Sequence, residues 1–366
     1  MQNRLRVIEV CGSPYERGYR YGTACKDEIA WVVQRHFDYL ERTSERGGVP
    51  LLSKERSLSL ANRNVLFAKE YAPDLVEELR GIGAGADVPF EELFCLSCFL
   101  NFYDFLSPES LKGTPFWGCT TFASRKCREG SVLVGQTYDL APFFESAAML
   151  LRVRSKDGPD LLMYTTAGMV GCAGLNSEGI GMVINNLIPS DSRPGVPYPF
   201  VARKVLEQRR IGDAIDCILS ARRASGMNYM LADRSGEIYS VETTASDYDV
   251  LYGLEGYMGH TNHYLCERLK GYERRSLLER GHSIVRWSRT NRFLKERAGS
   301  LDSATLQDVV KDHVNSPMGI CRHEGDPNRA GGYSKTVMSM IFELTRSEAW
   351  FCKGNPCENE FVAYEM

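Results

Sequence analysis

Trp117-Gly118-Cys119-Thr120-Thr121 marks the point where the chain changes character. Before it, apolar residues recur at helical spacing; after it, short β-rich runs alternate with turns. Thr120–Ala123 reads as the first of these strands, 131–137 as a second, 148–153 as a third and 161–166 as a fourth. Residues 174–183 read as two strands around a Ser-Glu-Gly turn. Helices are expected near 197–208 and 212–223, then strands at 227–233, 236–243, 248–252 and 256–260. Helices return near 283–297 and 303–312, and strands close the chain at 335–344, 347–353 and 359–364. Strands, helices and strands again predict stacked sheets with helices outside.

Upstream, Val7-Ile8-Glu9-Val10 reads as a strand and Ser13-Pro14-Tyr15-Glu16 as a helix start, with Ser13 as N-cap and Pro14 in the first turn. Helical spacing continues from about Thr23 to Arg42, and further helices are expected at 54–71, 73–82 and 90–105. Gly81-Ile82-Gly83-Ala84-Gly85 is expected to end a helix. The chain thus divides into a mainly helical section, 1–118, and a strand-rich section, 119–366.

The 366 residues are 43% hydrophobic and 25% charged, with net charge −3 from 44 basic and 47 acidic residues. That composition is globular, and no basic patch or acidic tail points to nucleic acid. No apolar run is long enough to span a bilayer and no signal core precedes Val7, so a cytoplasmic, membrane-free protein is expected.

Twelve cysteines are scattered rather than periodic. Most are expected to be inert core thiols. Cys95-Leu96-Ser97-Cys98 has CxxC spacing but lies in an apolar helix without a second pair. Cys352 and Cys357 flank a Lys-Gly-Asn-Pro turn and are expected to have no histidine partner nearby, and no metal site is expected. Cys119 differs from the rest. Glycine before it permits the strained backbone that attack on the preceding carbonyl needs. Cleavage there would free an α-amine of pKa about 7.7–8.0, a suitable base for the thiol of the same residue. The competing reading is a papain-like pair of Cys119 with His260, His263, His313 or His323, although the local sequence lacks a papain-type signature.

Further motifs follow in order: Gly135-Gln136-Thr137-Tyr138-Asp139, His260-Thr261-Asn262-His263 and Ile320-Cys321-Arg322. With Gly118-Cys119-Thr120-Thr121, the opening Gly12-Ser13-Pro14-Tyr15-Glu16-Arg17-Gly18-Tyr19 and Glu78-Leu79-Arg80-Gly81-Ile82-Gly83, they resemble the acyl-CoA:6-aminopenicillanic acid acyltransferase family of N-terminal nucleophile (Ntn) hydrolases. The resemblance implies an α+β fold, the four-layer αββα sandwich preceded by a helical section. It implies self-cleavage at Gly118–Cys119 into an α chain and a β chain that stay associated, and acyl transfer or hydrolysis of a small amide or acyl-amine through a thioester. It implies Cys119 as nucleophile, Asp139 as the carboxylate holding its freed amine, Asn262 as oxyanion stabiliser and Arg322 as the cation favouring thiolate. Thr121, Tyr138, Thr243 and His260 are weaker candidates for the pocket. No cofactor is implied, although acyl-CoA would be the acyl donor of a transferase. The family's Asn-Trp is Thr137-Tyr138 here, a serine before Ile-Cys-Arg is Gly319, and another aligns with Thr243 or Thr244. These departures bear on the pocket, whose rim is expected in loops 186–199 and 323–334. A binding protein retaining the fold is the alternative from another class. Bile-salt hydrolases and penicillin V acylases share the nucleophile logic but carry only a short leader, against 118 residues here.

Overall fold

The computed structural model describes residues 4–47, 52–104, 118–325 and 334–366. Trp117 and most of the predicted 323–334 rim therefore lie outside the described residues.

The first section runs β1 (Val7–Val10), α1 (Pro14–Ala24), α2 (Lys26–Gly47), α3 (Lys54–Asn62), α4 (Val65–Tyr71), α5 (Pro73–Ala86), α6 (Phe90–Ser97) and α7 (Phe99–Asp104). Helix α1 starts where its residues dictate. Ser13 Oγ accepts from the Glu16 N–H, and the Glu16 carboxylate accepts from the Ser13 N–H at 2.9 Å, a reciprocal capping box followed by Pro14.

The glycine-rich run 81–85 does not end a helix, contrary to the sequence expectation; α5 continues to Ala86. The glycines serve helix packing instead. A Cβ on Gly18 would lie 1.9 Å from the Glu78 carbonyl oxygen, and one on Gly81 2.2 Å from that of Tyr15. Gly22 and Gly85 are equally tight, at 2.2 and 2.3 Å from the carbonyls of Ile82 and Tyr19. Helices α1 and α5 thus meet backbone to backbone along a seam that admits no side chain. Nearby, the buried Glu78 carboxylate accepts from Arg17 at 2.9 Å and from the buried Arg203 at 3.2 Å.

The second section contributes β2 (Gly118–Ser124), β3 (Leu133–Leu140), α8 (Phe143–Ser146), β4 (Ala148–Val153), β5 (Leu161–Thr166), β6 (Ala173–Asn176) and β7 (Ile180–Leu187). Then come α9 (Tyr198–Leu206), α10 (Ile211–Ser220), β8 (Gly226–Asp233), β9 (Ile238–Thr243), β10 (Tyr248–Tyr252) and β11 (Tyr257–His260). The chain ends with α11 (Leu277–Glu296), α12 (Ser303–Val310), β12 (Lys335–Glu343), β13 (Glu348–Lys353) and β14 (Val362–Glu365).

One sheet has the order β1-β4-β5-β6-β7-β8-β9-β10 and the other β11-β2-β3-β12-β13-β14. Every pairing is antiparallel except β1 with β4, where Val7 to Val10 align with Leu150 to Val153. The sheets pack face to face through β2 and β3 against β7 and β8. Helices α11 and α12 cover the six-stranded sheet, and α9 and α10 cover the other. The fold is a four-layer αββα sandwich with additional helices from the first section.

This layering explains why all seven residues of β2 are buried. Strand periodicity sends Cys119, Thr121 and Ala123 into the layer between the sheets. Thr120 and Phe122 face α11, where Phe122 joins Leu294, Leu306 and Ile341 in a separate core. Gln136 locks the sheets together: its amide donates to the Ile184 carbonyl at 2.8 Å and accepts from the Ile184 N–H at 3.0 Å. No helix among the described residues is long and apolar enough to cross a membrane.

Candidate active site around Cys119

Cys119 is buried, 2% exposed, on β2, which lies between β11 and β3. Its register partner on β3 is Tyr138, and that of Gly118 is Asp139. The Cys119 backbone N–H donates to Asn262 Oδ1 at 2.8 Å. Asn262 stands just beyond β11, which pairs with β2 so that His260 lies opposite Thr121. Asn262 Nδ2 donates to the Asn186 carbonyl at 3.0 Å. The two donors on Oδ1 and the acceptor at Nδ2 set the orientation of this amide.

Asp139 is fully buried. Its Oδ1 accepts from Thr336 Oγ1 at 2.7 Å, where β12 carries a bulge beside the register partner of Asp139. Its Oδ2 has no hydrogen bond among the described residues. A Cβ on Gly118 would lie 2.5 Å from that Oδ2 and 2.6 Å from Arg322 Nη1. Only glycine leaves room for the carboxylate and the guanidinium to flank the bond before Cys119.

Burial raises Asp139 to about 6, against the opposing pull of Arg322 and Arg286 and the Thr336 hydrogen bond. Burial, reinforced by the Asp139 charge, pushes the Cys119 thiol up to about 12. Arg322 is lowered to about 10 by burial, with Asp139 opposing the shift.

Sequence inspection missed Arg286. This buried residue of α11 donates to the Cys119 carbonyl at 2.6 Å, to Thr120 Oγ1 at 3.1 Å and to Asn262 Oδ1 at 3.0 Å. Burial lowers its pKa, while Asp139 and Cys119 oppose that shift. A signal was present: Ser283, Arg286 and Thr290 are polar residues spaced along one helical face, and all three are buried.

The structure brings Cys119, Asp139, Asn262 and Arg322 together and sets Tyr138 beside them. Tyr138 Oη lies 3.1 Å from Tyr198 Oη, and its ring meets Tyr164 edge-on at 5.7 Å. The other three expected pocket residues have partners elsewhere. Thr121 Oγ1 donates to Asn185 Oδ1 at 2.7 Å, in a polar chain that continues through Asn228 to Ser240. Thr243 Oγ1 donates to the Met227 carbonyl at 2.8 Å and accepts from the Met227 N–H, joining β9 to β8. His260 Nε2 lies 2.6 Å from Glu242 Oε1, and that carboxylate also accepts from the Leu265 and Cys266 N–H groups. Among the described residues, no histidine hydrogen-bonds Cys119, and burial lowers neighbouring His263 to about 3.

Asn101 and Asn186 are further residues the sequence did not single out. They line a cavity of ≈ 10 Å³ with Tyr198, Ser225 and Met227. Both side-chain polar atoms of Asn186 and Oδ1 of Asn101 lack hydrogen bonds among the described residues. The Asn186 backbone also holds Asn262, so this cavity adjoins the Cys119 cluster.

All twelve cysteines are free, and Cys95 and Cys98 are buried. The expectation that Cys357 has no histidine nearby is overturned: its Sγ lies 3.3 Å from His323 Nε2. The turn between β13 and β14 folds onto the segment before β12, an approach that sequence distance hides.

A family model for acyl-coenzyme A:6-aminopenicillanic acid acyl-transferase matches residues 126–358. The 40 kDa form of that enzyme from Emericella nidulans is 25% identical over 348 residues, covering 94% of this chain and 91% of its own. The β-alanyl-dopamine/carcinine hydrolase of Drosophila melanogaster is 25% identical over 265 residues, 66% of this chain and 65% of that protein. Among solved structures, penicillin V acylase from Agrobacterium tumefaciens aligns with a TM-score of 0.45 and 14% identity, covering 68% of this chain and 86% of its own. The family match spans well over half of the sequence, and the chain belongs to the acyl-coenzyme A:6-aminopenicillanic acid acyl-transferase family.

Proposed function

We propose that this chain is a self-processing cysteine Ntn enzyme, cut between Gly118 and Cys119. The freed Cys119 then cleaves or transfers the acyl group of a small N-acyl amine or peptide-like amide. The observation that carries the proposal is the Cys119 backbone nitrogen, held at 2.8 Å by Asn262 and enclosed with Asp139, Arg286 and Arg322. Buried polar groups of this kind are costly unless they act together.

In self-processing, Cys119 Sγ attacks the Gly118 carbonyl carbon. The C–N bond breaks, the thiol proton passes to the departing nitrogen, and a thioester forms. Water hydrolyses it, leaving a carboxylate on Gly118 and a free amine on Cys119. That amine stays beside Asn262 Oδ1 and Asp139.

In turnover the amine accepts the thiol proton as Sγ attacks the substrate carbonyl, then delivers it to the leaving amine. Arg286 opposes the upward shift of the buried thiol, and two arginines against one carboxylate favour the developing oxyanion. Asn262 Nδ2 has a second N–H for that oxyanion. The acyl thioester then passes to water or to an acceptor amine. Acyl-CoA would be the donor if transfer dominates, loading Cys119 by thioester exchange. The adjoining cavity lined by Asn186 and Tyr198, of ≈ 10 Å³, has room for about one water.

The test is denaturing intact mass of the purified chain beside Cys119→Ala, followed by an amide panel. Fragments ending at Gly118 and beginning at Cys119, absent in the variant, are expected, together with loss of amide cleavage. One uncut chain in both samples, with hydrolysis undiminished in the variant, would overturn the proposal.

A further inference from the structure

Outside the Cys119 cluster, one group of side chains has the geometry of a metal site. His313 lies after α12, Cys321 and His323 lie before β12, and Cys357 lies in the turn between β13 and β14. Their ligand atoms all lie within 4.8 Å of one another, the only such group among the described residues. His313 Nε2 is 3.1 Å from His323 Nε2, and Cys321 Sγ is 3.5 Å from Cys357 Sγ. His323 Nε2 is 3.5 Å from Cys321 Sγ and 3.3 Å from Cys357 Sγ.

Tetrahedral zinc with Zn–S of about 2.3 Å and Zn–N of about 2.0–2.1 Å has edges of about 3.8 Å between sulfurs, about 3.3 Å between nitrogens and about 3.6 Å between the two kinds. Each of the four observed separations is within a few tenths of an ångström of its edge. Hydrogen bonding alone does not account for the group. His323 Nε2 faces three heteroatoms, and one ring nitrogen carries a single proton or a single lone pair. A cation at the centre satisfies all four atoms together.

We propose that His313, Cys321, His323 and Cys357 form a closed four-ligand zinc site. Its surroundings fit that role. Asn355 Nδ2 points at Cys321 Sγ from 3.6 Å, and Glu358 Oε1 stands 3.8 Å from His323 Nδ1. Such partners orient thiolate and imidazole ligands. With four protein ligands the site has no open position, so its ion is structural.

What the site holds is the segment carrying Arg322, whose neighbours on both sides are ligands. Asn355 also donates to the Arg322 carbonyl at 2.7 Å. The Arg322 N–H donates to Thr336 Oγ1, which donates to Asp139. Zinc bound here fixes the backbone from which Arg322 reaches Gly118, and it joins three chain segments separated in sequence.

The experiment uses the full chain purified under reductant. Zinc is measured by mass spectrometry of the metal, and Co²⁺ is then exchanged in as a spectroscopic probe. About one zinc per chain and the intense visible absorption of tetrahedral cobalt with thiolate ligands are expected. Both should be lost in Cys357→Ser and in His313→Ala, whose side chains are exposed, with circular dichroism unchanged. Cys11→Ser, at an exposed cysteine outside the group, should leave both intact. A reduced protein that binds neither ion stoichiometrically would overturn the proposal. So would cobalt absorption that survives in both variants, or a Cys321–Cys357 disulfide in place of metal.

Discussion

At the scale of single residues, Asp139 carries the most consequential charge. Its carboxyl lies at about 6 in the fold against an ordinary 3.8, with burial as the main cause. Between those values the folded chain binds more protons than the unfolded one, so stability falls as pH rises through this window. The full loss is about 3 kcal/mol, present above the folded pKa and absent below the unfolded one. Urea unfolding of the uncut Cys119→Ala chain, with and without Asp139→Asn, checks this from pH 4 to 7. The Asn variant should gain on its parent steadily as pH rises, by up to that amount. A difference that does not change with pH would sink the assignment. The residue scale also shows what a motif conveys. Gly118, Cys119, Asp139, Asn262 and Arg322 were legible because each sits in a short, ordered signature. Arg286 was not, because its contacts with Cys119 and Asn262 arise only when α11 packs on β2. Thr121 and Thr243 were expected at the pocket, but their hydroxyls belong to separate polar and interstrand networks that only the folded sheets bring together.

At the scale of elements, local chemistry predicted most starts and stops. The Ser13-Pro14-Glu16 cap and the strands 148–153 and 161–166 appear where expected. The miss at 81–85 has a physical reason. Glycine is costly within a helix, so a cluster of it reads as an end. Where a second glycine-bearing helix lies against it, the same cluster permits close approach. Two substitutions separate these roles. Gly18→Ala would place Cβ 1.9 Å from the Glu78 carbonyl oxygen and force α1 from α5, at a cost of about 1–3 kcal/mol or more. Gly212→Ala, in α10 with no atom within 4 Å of its new Cβ, should instead stabilise by about 0.4–1 kcal/mol. Denaturation midpoints would show opposite signs. A neutral Gly18→Ala would mean that the helices separate without loss.

At the scale of the whole molecule, the junction at Gly118 divides the sequence but not the fold. Strand β1 is an edge of the eight-stranded sheet, aligned with β4 over four residues. Glu78 on α5 is buried against Arg203 on α9. The Phe94 ring meets Phe200 at 5.7 Å, the Gly168 N–H donates to Tyr21 Oη at 3.0 Å, and the Gly195 N–H donates to Asn64 Oδ1 at 2.9 Å. A cut before Cys119 would remove none of these contacts. The two sections should therefore remain one folded body after cleavage, held mainly by apolar burial that salt does not screen. Coexpression of 1–118 and 119–366 as separate chains, with a tag on one, tests this without relying on self-cleavage. The expected outcome is copurification at equal stoichiometry, persisting in 1 M salt (where the Debye length is about 3 Å), with one cooperative thermal transition. Glu78→Ala, which leaves the buried Arg203 with Glu207 as its remaining carboxylate partner, should lower that transition more than any exposed ion-pair substitution. Separation of the chains in native buffer would mean that the first section is an independent leader. In that case β1 could not be a stable strand of the eight-stranded sheet.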